Sequence, residues 1–141
     1  MPVRNAEAYW EGNLEKGHGA MKLGSGIFEG AYSFGSRFEN EVGTNPEELI
    51  GAAHAGCFSM AFSALLGEEG FTPERIDTTA KVAIEKEGEG FAITKIQLDM
   101  KARIGGIDEA TFNKIAQKAK EGCPVSKALA GTTIELQAKL Q

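Results

Sequence analysis

The chain has two cysteines, Cys57 and Cys123, and each could act as a nucleophile if its sulfur ionises. Cys57 lies among Gly56, Phe58 and Ala61. Such surroundings raise a thiol pKa, and a free cysteine inside an apolar helix is ordinarily an inert small hydrophobe. Reactivity at Cys57 therefore requires a cation from elsewhere in the fold. Cys123 precedes Pro124 at the start of an expected short helix, where backbone amides and the dipole favour a thiolate. There is no Cys-x-x-Cys, and two cysteines with two scattered histidines lack metal-ligand spacing. Gly35-Ser36-Arg37-Phe38 reads as a mobile connection carrying one arginine towards the Cys57 helix, although Arg37 taken alone is a solvated loop residue. His54, three residues before Cys57, is placed to act as its base, but a structural histidine bonded at a helix contact is the expected role. His18 is expected in a surface turn.

The segment Thr44–Gly70 must position Cys57. Asn45 reads as an N-cap, Pro46 as the first helical residue, and Glu48 stands three residues after the cap. Glu47 and Glu48 put negative charge at the positive end of the helix dipole, and Glu48 is expected to be a cap carboxylate rather than a catalytic one. From Leu49 to Gly67 there is no formal charge and apolar residues occur all the way round, which predicts a buried helix. The run is long enough for a bilayer, yet its Ala, Gly, Ser and His content transfers poorly into lipid and points to a protein core.

Around that helix the pattern is one of strands and turns. Ala6–Glu11 carries aromatics between charges, and short strands are expected at Gly19–Leu23, Ile27–Glu29 and Tyr32–Phe34. Ile76–Ile84 and Phe91–Ile104 alternate apolar and polar residues across the charged turn Glu85–Gly90, which predicts a hairpin. Asp108 caps an expected helix to about Lys120, Gly122 stops it, and Pro124 starts one or two turns through Leu129. Thr132–Leu140 ends the chain as a strand. Strands and helices come in blocks, so the fold class is α+β with antiparallel sheet. The 141 residues suit one domain. A net charge of −5 without a basic cluster excludes nucleic acid and anionic membranes as partners. No signal peptide is visible, which makes the cytoplasm the expected location.

Residues 45–60, NPEELIGAAHAGCFSM, together with Gly122-Cys123-Pro124-Val125-Ser126, closely resemble the OsmC/Ohr family of osmotically inducible and organic hydroperoxide resistance proteins, and the NPEELIGAAHA wording resembles its OsmC branch. The resemblance spans nearly the whole chain, 1–141, as a single OsmC-like domain, and includes Trp10-Glu11-Gly12. Gly56 departs from the alanine common before the cysteine, which loosens the helix slightly. The resemblance implies antiparallel sheets packed around a long buried central helix in an intertwined homodimer. It also implies a thiol peroxidase: Cys57 as the peroxidatic cysteine, Cys123 as the resolving cysteine, and Arg37 and Glu47 as the pair that activates the thiol. The expected chemistry is a Cys57 sulfenic acid, then a Cys57–Cys123 disulfide that a dithiol, of lipoyl type by resemblance, reduces. Metal, haem and flavin are not required. An apolar ring of Ile50, Phe58, Met60 and Phe62 would favour organic peroxides, although core packing explains those residues equally well, and hydrogen peroxide is left open as a second substrate.

Glu47 and Cys57 are ten residues apart on one expected helix. That is about 15 Å along the axis and roughly 80° away from a shared face. One straight helix cannot bring both to one arginine. An antiparallel second copy crossing near Ala52, where Gly51, Ala52, Ala53, Ala55 and Gly56 permit close approach, would join Cys57 of one chain to Glu47 of the other. Two alternatives share these residues: a dimer that binds an apolar small molecule and keeps inert cysteines, and a thiol redox sensor without turnover.

Overall fold

The computed structural model describes residues 1–141. In chain order it contains β1 (Ala6–Glu11), β2 (His18–Leu23), β3 (Glu29–Tyr32), α1 (Phe34–Phe38), α2 (Pro46–Glu68), β4 (Pro73–Glu87), β5 (Gly90–Ile104), α3 (Glu109–Gly122), α4 (Pro124–Ala128) and β6 (Thr133–Leu140). The class is α+β. Two compact units divide the chain, Met1–Glu48 and Leu49–Gln141.

In Met1–Glu48, β1, β2 and β3 form an antiparallel sheet in that order. Trp10 pairs across β1 and β2 with Gly19, where any Cβ would collide with the Tyr9 carbonyl oxygen. His18 is therefore a strand residue, not a turn residue, and it stays exposed, 3.4 Å from Glu11. The expected strands at Ile27–Glu29 and Tyr32–Phe34 are replaced by the single strand β3. Phe34 instead opens α1, so the segment around Arg37 is a helix and not a mobile connection. A reciprocal capping box explains the change: Ser36 N–H donates to Ser33 Oγ (3.1 Å) and Ser33 N–H donates to Ser36 Oγ (2.8 Å). The Ser36 hydroxyl also reaches the Thr44 carbonyl at 2.7 Å.

Helix α2 starts where the sequence places it. Glu48 N–H donates to Asn45 Oδ1 at 2.8 Å, a cap worth about 1 kcal/mol. Beyond Leu49 the helix belongs to the second unit, where Phe58, Phe62 and Leu66 are fully buried with Ile96, Leu98, Phe112, Ala116 and Ala119. The Phe62 ring meets Phe112 edge-on at 5.7 Å. The β4–β5 hairpin forms as expected, turning at Gly88, whose φ of +60° lies in the left-handed region.

One expectation is corrected. The second sheet, β4-β5-β6, is mixed, because β6 runs parallel to β5. Helices α3 and α4 separate those strands, and such a crossover returns the chain to the same end of the sheet. Within the single chain, α2 is buried along one side. Gly51, His54, Phe58, Phe62 and Leu66 form one buried stripe, while Ala52, Ala53, Gly56, Met60, Ser63 and Ala64 are exposed, Met60 at 78%. A single sheet face covers one side of a helix, and within Leu49–Gln141 no other element covers the second side. By length and composition this helix could cross a bilayer. Its buried aromatic stripe is packed into the core instead.

Candidate active site

Cys57 lies mid-way along α2, and Cys123 lies at the junction where α3 ends and α4 begins. Their sulfurs are 2.7 Å apart although 66 residues separate them in sequence. Both are free thiols, and a disulfide of about 2.05 Å needs only a small further approach. The Cys123 N–H donates to the Ala119 carbonyl at 2.9 Å, and Pro124, which has no N–H to lose, starts α4. The position of Cys123 is thus fixed by two helix ends.

The two sulfurs differ in access and in acidity. Cys57 is half-buried and Cys123 is fully buried. Burial and the neighbouring Cys123 thiol raise the Cys57 pKa, against a smaller opposing contribution from the Val125 amide. Burial also acts to raise the Cys123 pKa, but hydrogen bonds from the Cys57 thiol, the Ser126 amide and hydroxyl, and the Val125 amide outweigh it and lower the value. Within the Leu49–Gln141 unit only the Val125 amide favours a Cys57 thiolate, and it does not outweigh burial.

The other two expected residues also form a pair, within Met1–Glu48. Arg37 Nε and Nη2 approach the same Glu47 oxygen, Oε1, at 2.9 and 2.8 Å. Oε2 of Glu47 is buried without a hydrogen-bond partner. Both elements explain the pairing, since Glu47 sits in the first turn of α2 and Arg37 in the last turn of α1. Arg37 also stacks over the Phe38 ring, 5.3 Å from its centre. With Trp10, Leu14, Tyr32, Ser33, Phe34 and Phe38 it lines a cavity of about 260 Å³ in which it is the only charge.

Three other sequence readings meet the structure here. Glu48 is exposed and accepts from the Thr44 hydroxyl at 3.1 Å, as befits a surface carboxylate at the helix start. His54 is structural: its Nε2 lies 2.7 Å from Ser126 Oγ, a partner that sequence spacing did not reveal. Of the residues read as an apolar ring or as core packing, Phe58 and Phe62 are core residues while Met60 is exposed.

Burial lowers the His54 pKa from 6.5, so the folded protein keeps the ring neutral while the unfolded chain protonates it. Protons then bind the unfolded chain preferentially, and this contribution to stability is lost as pH falls through 6.5. Urea midpoints from pH 8 to 5 are expected to fall more steeply for wild type than for His54→Gln. Parallel curves would disprove the assignment.

A family model described as OsmC-like protein matches residues 38–137, beginning one residue after Arg37. The chain belongs to the OsmC-like protein family. Within that family it is 54% identical over 138 residues to Peroxiredoxin OsmC of Escherichia coli strain K12, covering 96% of each chain. An organic hydroperoxide resistance protein of Xanthomonas axonopodis pv. citri is 31% identical over 90 residues, 63% of this chain and 61% of that one. Among OsmC-like folds of known structure, an OsmC-like protein of unknown function from Vibrio cholerae superimposes with a TM-score of 0.75 at 16% identity, covering 98% and 99% of the two chains. The organic hydroperoxide resistance protein OhrB of Bacillus subtilis does so with a TM-score of 0.69 at 22% identity, covering 97% and 98%.

Proposed function

We propose that the protein is a cysteine-based peroxidase that reduces organic hydroperoxides to alcohols, working as one OsmC-like domain per chain in a cytoplasmic homodimer. The observation that carries this reading is the meeting of the Cys57 and Cys123 sulfurs at 2.7 Å. The likeness of the whole chain to Peroxiredoxin OsmC supports it. Cys57 is the attacking residue because Cys123, though more acidic, is fully buried.

The Cys57 thiolate attacks one peroxide oxygen. The O–O bond breaks, the alkoxide takes a proton and leaves as alcohol, and Cys57 becomes a sulfenic acid. The Cys123 sulfur then attacks Cys57; the S–S bond forms, the S–O bond breaks, and hydroxide departs with the Cys123 proton as water. An external dithiol, of lipoyl type by family resemblance, returns two electrons by exchange and restores both thiols. No metal, haem or flavin takes part.

Arg37, oriented by Glu47, supplies the cation that the Cys57 thiolate lacks. The pair reaches the sulfur from a second copy, since Glu47 and Cys57 sit about 15 Å apart along one helix axis. The exposed uncharged stripe on α2 supports such a dimer. Gly51, counted among its small residues, belongs to the other face: a Cβ there would lie 3.3 Å from the Val82 side chain. Ala52, Ala53 and Gly56 remain as the residues of close approach. The aromatic cavity beside Arg37 suits the hydrocarbon body of an organic hydroperoxide.

Addition of one equivalent of cumene hydroperoxide to reduced protein is expected to consume both thiols and yield one intramolecular disulfide by mass, which dihydrolipoamide then reduces. Retention of both thiols would exclude the peroxidase and leave a binding protein. Oxidation that no dithiol reverses would leave a sensor.

A further inference from the structure

Helix α4 is short, and Ser126 is its one buried residue. What holds it is a polar contact. Ser126 Oγ lies 2.7 Å from His54 Nε2, both side chains are buried, and His54 Nδ1 has no other partner. His54 precedes Cys57 by three residues and Ser126 follows Cys123 by three, so the contact lies one turn from each sulfur. Ser126 also hydrogen-bonds Cys123 through its hydroxyl and its amide. Separating Ser126 from His54 would strand two buried polar groups, so the contact resists opening.

We propose that the buried His54–Ser126 hydrogen bond is a positioning clamp for disulfide formation, holding Cys123 within reach of Cys57 while Cys57 carries a sulfenic acid. The inference rests on the peroxidase reading above. Its chemical purpose is speed: an unresolved sulfenic acid meets more peroxide and passes to sulfinic acid. The clamp performs no proton transfer. The water that leaves carries the Cys123 proton, and His54 acts only through the place it gives Ser126 and α4.

The two steps can be timed in one sample by rapid mixing of reduced protein with cumene hydroperoxide, quenching with an alkylating reagent, and intact mass. Sulfenic acid reports the first step and the disulfide reports the second, so their ratio does not depend on the fraction of protein folded. In Ser126→Ala the first step is expected to hold within about twofold while closure slows about tenfold, the scale of one lost buried hydrogen bond. Sulfinic acid then accumulates in excess peroxide. Ser126→Thr, which keeps a hydroxyl, should restore closure, and His54→Ala combined with Ser126→Ala should be no slower than either change alone. Closure at the wild-type rate in Ser126→Ala would overturn the clamp and spare the peroxidase reading. Equal loss in Ser126→Thr and Ser126→Ala would likewise overturn it, pointing to simple packing. Wild-type protein that never forms the disulfide would overturn both.

Discussion

Cys57→Ser protein is expected to consume organic hydroperoxide at least about a thousandfold more slowly than wild type, since a serine hydroxyl is scarcely ionised near neutral pH and a poorer nucleophile than a thiolate. The remaining cysteine does not compensate. Cys123 is the more acidic thiol but is fully buried, so peroxide reaches it slowly if at all. The substitution is nearly isosteric at a half-buried position, and the variant should fold with an unchanged urea midpoint to within about 1 kcal/mol. Peroxide consumption at saturating dithiol, followed by a colorimetric hydroperoxide assay, gives the comparison. A variant retaining even a tenth of wild-type turnover would remove Cys57 from the mechanism and make Cys123 the nucleophile.

Arg37→Ala should slow the first step about a hundredfold at neutral pH, because loss of a close opposite charge moves a pKa by about one to three units. The direction is set by the environment that remains: burial and Cys123 hold the Cys57 thiol up, and the Val125 amide offsets them only in part. The rate should therefore climb with pH in the variant and approach wild type only in alkaline solution. Arg37→Lys should recover part of the rate, since an ammonium supplies charge without the planar fork that two nitrogens present to Glu47 Oε1. Stopped-flow traces from pH 5.5 to 9.5 test this, and superimposable profiles for wild type and Arg37→Ala would refute the role. The same variant tests the dimer. Mixed with Cys57→Ser protein and allowed to exchange subunits, it should regain roughly a quarter of wild-type activity, because half the dimers then hold one intact site of two. No recovery on mixing would mean that Arg37 serves the sulfur of its own chain.

The local features of this fold were legible in the amino-acid sequence because their causes are local. Asn45, Pro46 and Glu48 satisfy the free amides at one helix start, and the structure begins α2 there. Alternation through Ile76–Ile84 and Phe91–Ile104 marks the hairpin, and Asp108 caps α3 through the Thr111 amide. The identity of both cysteines and the need of Cys57 for a cation follow from residue type and neighbours alone. Where the reading failed locally, two serines competed for the same backbone: Ser33 and Ser36 cap one another and turn an expected loop into α1.

What the sequence could not decide depends on contacts between distant segments. Apolarity all round α2 says nothing about which face meets the sheet; the packing of Phe58, Phe62 and Leu66 selects one stripe and leaves Ala52, Gly56 and Met60 in solvent. The direction of β6 was open too, because alternating residues fit either orientation until α3 and α4 fix the side from which the strand enters. Likewise, the two oxygens of Glu47 are equivalent in sequence, and only the approach of Arg37 makes one bonded and the other not. The contact of Ser126 was not legible, since a hydroxyl gives no sign of its partner until folding buries it against an imidazole 72 residues away. Burial and hydrogen bonding at that junction, which no local pattern encodes, bring the two sulfurs together.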